Sequence, residues 1–131
     1  MMNRERAEKL IHQYFQSWLQ QDLKLFLSTL SPEIEITECY GPIYHGLEEN
    51  RQWFINWHEG EGKGQVTQWD ILRILYDDKQ KGAAVEWDFY CIYEGNLGSF
   101  LGTSLIHFGD SQITSIQEYQ MKKKQYRPYL R

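Results

Sequence analysis

An α+β fold, with helices concentrated in the first half of the chain and an antiparallel sheet in the second, is what the 131 residues predict. Two observations carry this. Apolar residues recur at three- and four-residue intervals in the early segments, whereas extended β-branched and aromatic runs separated by short turn signals fill the chain after Gln65. The length fits one domain over residues 1–131, able to bury roughly two thirds of the surface its unfolded form exposes.

The first helix is predicted from Glu5 to Gln20, where Ala7, Leu10, Ile11, Tyr14, Phe15, Trp18 and Leu19 form one apolar stripe. Asp22 is a suitable N-cap for a second, short helix through Leu23, Phe26, Leu27 and Leu30, which Ser31-Pro32 ends because the residue before proline disfavours helix. A strand from Glu33 to Glu38 is broken at Tyr40-Gly41-Pro42, and Ile43 to Gly46 makes a second extended piece. Helical spacing returns from Leu47 to Glu59, with Trp53 and Trp57 stacked one turn apart. Four strands follow: Val66–Tyr76, Ala83–Tyr93, Leu97–Phe108 and Gln112–Gln120, with turns at Asp77-Asp78-Lys79, Glu94-Gly95-Asn96 and Gly109-Asp110-Ser111. The first of these alternates poorly around Asp70–Leu75, so a bulge is expected there.

Composition excludes several functions. A net charge of −4 argues against a nucleic-acid surface, which needs clustered Lys and Arg, and Lys122-Lys123-Lys124 with Arg127 and Arg131 reads as a solvated tail. No apolar run approaches a membrane span, and Met1-Met2-Asn3-Arg4 leads into a charged helix instead of a signal sequence, so a cytoplasmic location without membrane association is expected. Cys39 and Cys91 read as reduced, packed thiols. The four histidines, His12, His45, His58 and His107, lack paired spacing, so no metal site is expected. Gly60-Glu61-Gly62-Lys63-Gly64 lacks the Lys-Ser/Thr and following helix of a phosphate loop.

Strand parity sorts the remaining residues by face. Val85, Trp87, Phe89 and Cys91 share one face, and Phe100, Gly102, Ser104, Ile106 and Phe108 share another; these are the natural core faces. The opposite faces also carry apolar bulk, with Tyr90, Ile92, Leu101, Leu105, Ile113 and Tyr119 available to a second copy of the chain. Cys91 and His107 fall on different faces, so no Cys-His nucleophile assembles. Glu38 shares the face of Ile34 and Ile36 and is expected to point inward, where desolvation raises a carboxylate's pKa toward that of a working general base. Glu118, in phase with Ile116, could bring a second carboxylate nearby. Trp18, Trp53, Trp57, Trp69 and Trp87 offer flat walls for a bulky apolar ligand.

The element order, together with Glu38-Cys39-Tyr40-Gly41-Pro42-Ile43-Tyr44-His45-Gly46, Trp53-Phe54, Trp69-Asp70-Ile71, Glu86-Trp87-Asp88-Phe89-Tyr90-Cys91 and Ser104-Leu105-Ile106-His107-Phe108, resembles the SnoaL-like branch of the nuclear transport factor 2-like superfamily. The resemblance implies a cystatin-like cone, in which three helices pack in the concave face of a strongly bent, mainly antiparallel sheet. It also implies an apolar cavity and dimerisation through the outer sheet face. Thr37-Glu38-Cys39-Tyr40-Gly41 resembles the Glu-Asp-Pro-x-Gly of ketosteroid isomerases, which gives Glu38 the proton-shuttling position, and Tyr14 falls where those enzymes keep an oxyanion-donating tyrosine. Ser104 stands where they have a protonated aspartate and Gln120 where they have a pocket tryptophan, while Arg73 lacks the aspartate two residues on that marks the epoxide hydrolase branch. The expected function is binding of a small apolar molecule, with no cofactor, and proton transfer by Glu38 and Tyr14; the alternative is a non-catalytic ligand-binding or dimerisation module. Trp18, Trp57, Trp87, Phe89, Cys91, Ser104 and Glu118 are the expected ligand contacts.

Overall fold

The structure, a computed structural model, describes residues 1–130. Its elements are α1 (Arg4–Gln20), α2 (Leu23–Ser28), β1 (Leu30–Thr37), β2 (Ile43–His45), α3 (Gly46–Glu59), β3 (Gln65–Asp77), β4 (Gly82–Tyr93), β5 (Asn96–Phe108) and β6 (Ile113–Met121). Asn3 and Asp22 cap α1 and α2 by accepting from Arg6 N and Leu25 N. One six-stranded sheet runs in the order β2-β1-β6-β5-β4-β3. Every pairing is antiparallel except that between β1 and β6. The helices lie against one face: α3 contacts β1 near one edge and α1 contacts β3 at the other, so the sheet wraps around the helix layer. This is the α+β architecture of the sequence analysis, and the sheet does not close.

Two expectations along the chain need correction. Leu30 does not continue α2 but opens β1, because its backbone neighbourhood pairs with β6: Leu30 is registered with Ile113, and Ile113 N donates to Thr29 O at 2.9 Å. Pro32 is tolerated because it sits where the β1–β6 register shifts, a stretch that asks no ladder hydrogen bond of it. Ile113, expected on the outer face, is fully buried in the core. The β5–β6 register shifts between His107 and Phe108, which leaves Thr114 unpaired and turns both Ile113 and Ile116 inward although they are three residues apart. The bulge expected in β3 is present, as register shifts at Val66/Gln68 and Ile71/Arg73.

The C-terminal segment also departs from a purely solvated tail. Lys123 folds back over the outer face of the sheet, 2.7 Å from Asp88 Oδ1 and 3.5 Å from the centroid of the Tyr90 ring. Arg131 lies outside the described residues.

The core is aliphatic at one end, with Ile34, Ile36, Val85, Ile106, Ile113 and Ile116 fully enclosed beneath Ile11 and Phe26. Toward the other end of the same strands the side chains become aromatic and the packing opens.

Candidate functional site

The opening is a cavity of about 500 Å³ between the helices and the sheet. Of the expected site residues, Glu38, Tyr14, Trp18, Trp57, Trp87, Phe89, Cys91 and Glu118 line it. Ser104 does not. Its hydroxyl lies fully buried behind the Trp87 ring and accepts from Trp87 Nε1 at 2.9 Å, so it fixes the indole instead of facing a ligand. Gly102 makes this arrangement possible: a Cβ there would stand 2.2 Å from the Trp87 ring and 2.5 Å from Tyr119 O.

Glu38 sits one residue past β1, continuing the face of Ile34 and Ile36 into a hairpin turn. Glu38 N donates to Pro42 O at 2.9 Å and Gly41 N to Glu38 O at 3.0 Å, with Gly41 at φ +113°, a conformation that other residues rarely adopt. Tyr44 lies opposite Ile36 in the hairpin, so its ring shares that face diagonally from Glu38, and its hydroxyl donates to Glu38 Oε1 at 2.6 Å. Trp53 stacks on Tyr44 at 4.5 Å between ring centroids. Behind them the buried Asn50 donates to Tyr44 O and Gly46 O, tying β2 to the start of α3. Among the described residues, Glu38 Oε2 has no hydrogen-bond partner.

Glu118 reaches the same wall through the parallel register. Ile36 pairs with Ile116 and Thr37 with Gln117, so the next step sets Glu38 beside Glu118 on neighbouring strands. No described side chain hydrogen-bonds to Glu118, which is part-buried and lines the cavity. Burial and then the negative charge of Glu38 push the Glu118 carboxyl up to about 8. Burial also raises Glu38, but the hydrogen bond from Tyr44 opposes the shift. At neutral pH the pair therefore holds a proton on Glu118 and leaves Glu38 the more readily ionised.

Tyr14, on the buried stripe of α1, has a hydroxyl with no hydrogen-bond partner. Burial, then the charge of Glu118, hold it well above the ordinary tyrosine range; the nearby Trp18 indole counteracts this without reaching hydrogen-bond geometry. Cys39 is likewise pushed up, to about 11, first by burial and then by both glutamates. Its thiol donates weakly to Gln120 Oε1 at 3.6 Å, so the position aligned with a pocket tryptophan lies at the exposed rim.

Trp53 and Trp69, expected as flat walls, also line the cavity, whereas Tyr44, Tyr93 and Phe100 are wall residues that were not expected there. Tyr93 and Phe100 were available from parity, being in phase with Cys91 and Gly102. Tyr44 was not, because the hairpin register decides which way it points. Trp53 and Trp57 do not stack on each other; each instead meets Trp18, at 4.8 and 5.5 Å, because the α1 indole wedges between them. Among the described residues, no three His, Cys, Asp or Glu side chains come together as metal ligands.

A helix-filled, incompletely closed sheet with one acid-bearing aromatic cavity defines a class of small domains built around an internal site. This chain belongs to the SnoaL-like domain family, whose pattern matches residues 11–116. No curated protein matches it in sequence. Among solved structures it is similar to a proposed polyketide cyclase from Xanthomonas campestris pv. campestris, at 18% identity and a TM-score of 0.75, covering 90% of this chain and 92% of that one. An epoxide hydrolase of the LEH-like type from M. tuberculosis gives 14% and 0.77, with 89% and 84% covered. A proposed isomerase from Bacillus subtilis gives 12% and 0.79, with 92% and 90% covered. At these identities the likeness is one of fold, described in such structures as cystatin-like, NTF2-like or ketosteroid isomerase-like.

Proposed function

We propose that the chain binds a small, largely apolar molecule in this cavity and moves a proton within it, with Glu38 as general base. The observation that carries the reading is Glu38 itself: a half-buried carboxylate on the wall of an aromatic cavity, with one oxygen held by Tyr44 and the other without a protein partner. Glu38 Oε2 takes a proton from a carbon next to a carbonyl, and the unpartnered Tyr14 hydroxyl donates to the carbonyl oxygen as negative charge gathers there. Returning the proton at another position completes an isomerisation; attack of the enolate carbon on a second carbonyl of the same molecule, whose π bond opens and whose oxygen takes the proton back from Glu38, gives an aldol cyclisation. The cyclase and isomerase assignments of proteins with this fold are consistent with such chemistry.

A second reading has one observation in its favour. The 2.6 Å bond from Tyr44 is also what a structural strut at the cavity mouth would make, and a non-catalytic ligand carrier would retain it. Glu38→Gln separates the two, since the amide oxygen still accepts from Tyr44. Under the catalytic reading, turnover of a responsive carbonyl substrate falls on the order of 10²–10⁴-fold, while ligand affinity and melting temperature hold. Unchanged turnover, or a Glu38 titration midpoint by NMR at or below the ordinary carboxylate value, removes the base role.

We further infer a homodimer through the outer sheet face, where Leu75, Tyr119 and Met121 are exposed beside Leu101 and Leu105. Sedimentation velocity giving a monomer at micromolar concentration ends that reading. No helix of the described residues is long and apolar enough to cross a membrane. Two unpaired cysteines support a reducing, cytoplasmic setting.

A further inference from the structure

We propose that the cavity selects ligands carrying a positively charged amine, with the acid pair of Glu38 and Glu118 as counter-charge and the indole and phenol faces as the cage around it. This rests on the reading that the cavity is a ligand site and adds the class of ligand.

The lining is unusual in what it omits. No Lys, Arg or His contributes to it, whereas two carboxyl groups do, side by side on β1 and β6. An acid pair with no cation beside it in an apolar wall is costly to ionise fully. The Glu38–Glu118 pair is in that position: the register partner of Glu118 on β5, Ser104, has its hydroxyl engaged by Trp87, and the other groups facing the part-buried Glu118 are Tyr44, Tyr14 and Cys39, none of them cationic. The fold supplies no internal partner, so the complementary charge is left for a guest.

The rest of the wall suits the same guest. All five tryptophans of the chain line this one cavity, joined by four tyrosines. Aromatic faces attract an ammonium group through the ring quadrupole, most strongly once it is desolvated, and have no comparable attraction for an anion. Tyr14, buried and unpartnered, offers a hydroxyl oxygen that can accept from an N–H of the guest. An anionic ligand would meet two acids and no donor cation. A neutral one would be accepted by the rings while leaving the acid pair without a counter-charge.

The test uses three probes of one shape: benzyltrimethylammonium, its uncharged isostere neopentylbenzene, and the anion phenylmethanesulfonate. Binding is read on the five tryptophan indole N–H signals of the ¹⁵N-labelled full chain. The expected result is that the cation binds about tenfold or more tightly than the neutral isostere, and that the sulfonate leaves the signals in place. At pH 9, where Glu118, pushed up to about 8 in the free protein, is ionised, Glu118→Gln should lower the cation affinity by about tenfold and leave that of neopentylbenzene within about twofold, the latter also showing that the variant is folded. A neutral isostere that binds as tightly as the cation, a cation affinity indifferent to Glu118→Gln, or a sulfonate that binds as well as the cation overturns the amine proposal while leaving a functioning cavity. If none of the three moves an indole signal, the cavity is not a ligand site and both readings fall.

Discussion

The two ends of the sheet's concave face differ by a single step of strand periodicity. Ile36 and Ile116, neighbours across the parallel β1–β6 pair, are completely enclosed; two residues further along the same strands stand Glu38 and Glu118. The backbone geometry is continuous across that step. What changes is the layer above: α1, α2 and α3 fill the space over the isoleucines, with Phe26 stacked on Phe54 at 4.6 Å, whereas over the glutamates the aromatic side chains line a cavity instead of filling it. Side-chain polarity therefore tracks the point where the helix layer stops filling the cone. The closed end supplies stability by burial and close packing; the open end carries groups that the fold leaves partly unsatisfied.

This contrast can be broken most sharply at the closed end. Ile116→Ala should lower unfolding free energy by about 2–5 kcal/mol through lost burial and a residual void. Glu118→Ala, two residues on, should cost much less because that side chain already faces empty space. Equal losses in urea titrations with unchanged slope would mean that the two ends are packed alike.

The next effect is in pH. Glu118 is raised to about 8 in the fold, against an ordinary glutamate value of 4.5. Between those values the native state holds a proton that the unfolded chain has already released, so stability is greatest below the lower value and is lost as pH climbs through the higher one. The upward direction for Glu38 acts in the same sense. Wild-type stability should fall over this window by up to about 1.4 kcal/mol per pH unit, and Glu118→Gln should flatten most of the slope. A wild-type profile that is already flat places Glu118 in water.

The smallest expected effect sharpens the comparison within the open end. Tyr44→Phe removes the donor to Glu38 and should cost about 1 kcal/mol, while the Glu38 titration midpoint moves upward because the opposing hydrogen bond is gone. A midpoint that stays put means that Tyr44 and Glu38 do not share a proton-bearing contact in solution.

Much of this was legible in the chain itself. The stripe Leu10, Ile11, Tyr14, Phe15, Trp18 and the alternation in Val85–Cys91 and Phe100–Phe108 have periods that belong to helix and strand alone, so those elements and their inward faces follow from local sterics. Glu38 was placed on the inner wall by counting from Ile34 and Ile36, and Glu118 by counting from Ile116. The counting failed where the ladder slips. Ile113 turned inward because of the bulge at Thr114, and Leu30 left its helix because Ile113 and Thr29 claimed the backbone.

Sequence by itself thus determined the alternation of helix and strand, the burial phase within each uninterrupted run, and the presence of acids and indoles on inward faces. Local backbone geometry sets all three. Only the tertiary structure decided that Glu38 and Glu118 are neighbours, that Tyr44 holds one and nothing holds the other, and that Ser104 serves Trp87. Those relations depend on the register between β1 and β6 and on where α3 lies, distances between segments some 80 residues apart, and no periodicity within one segment encodes its offset against another.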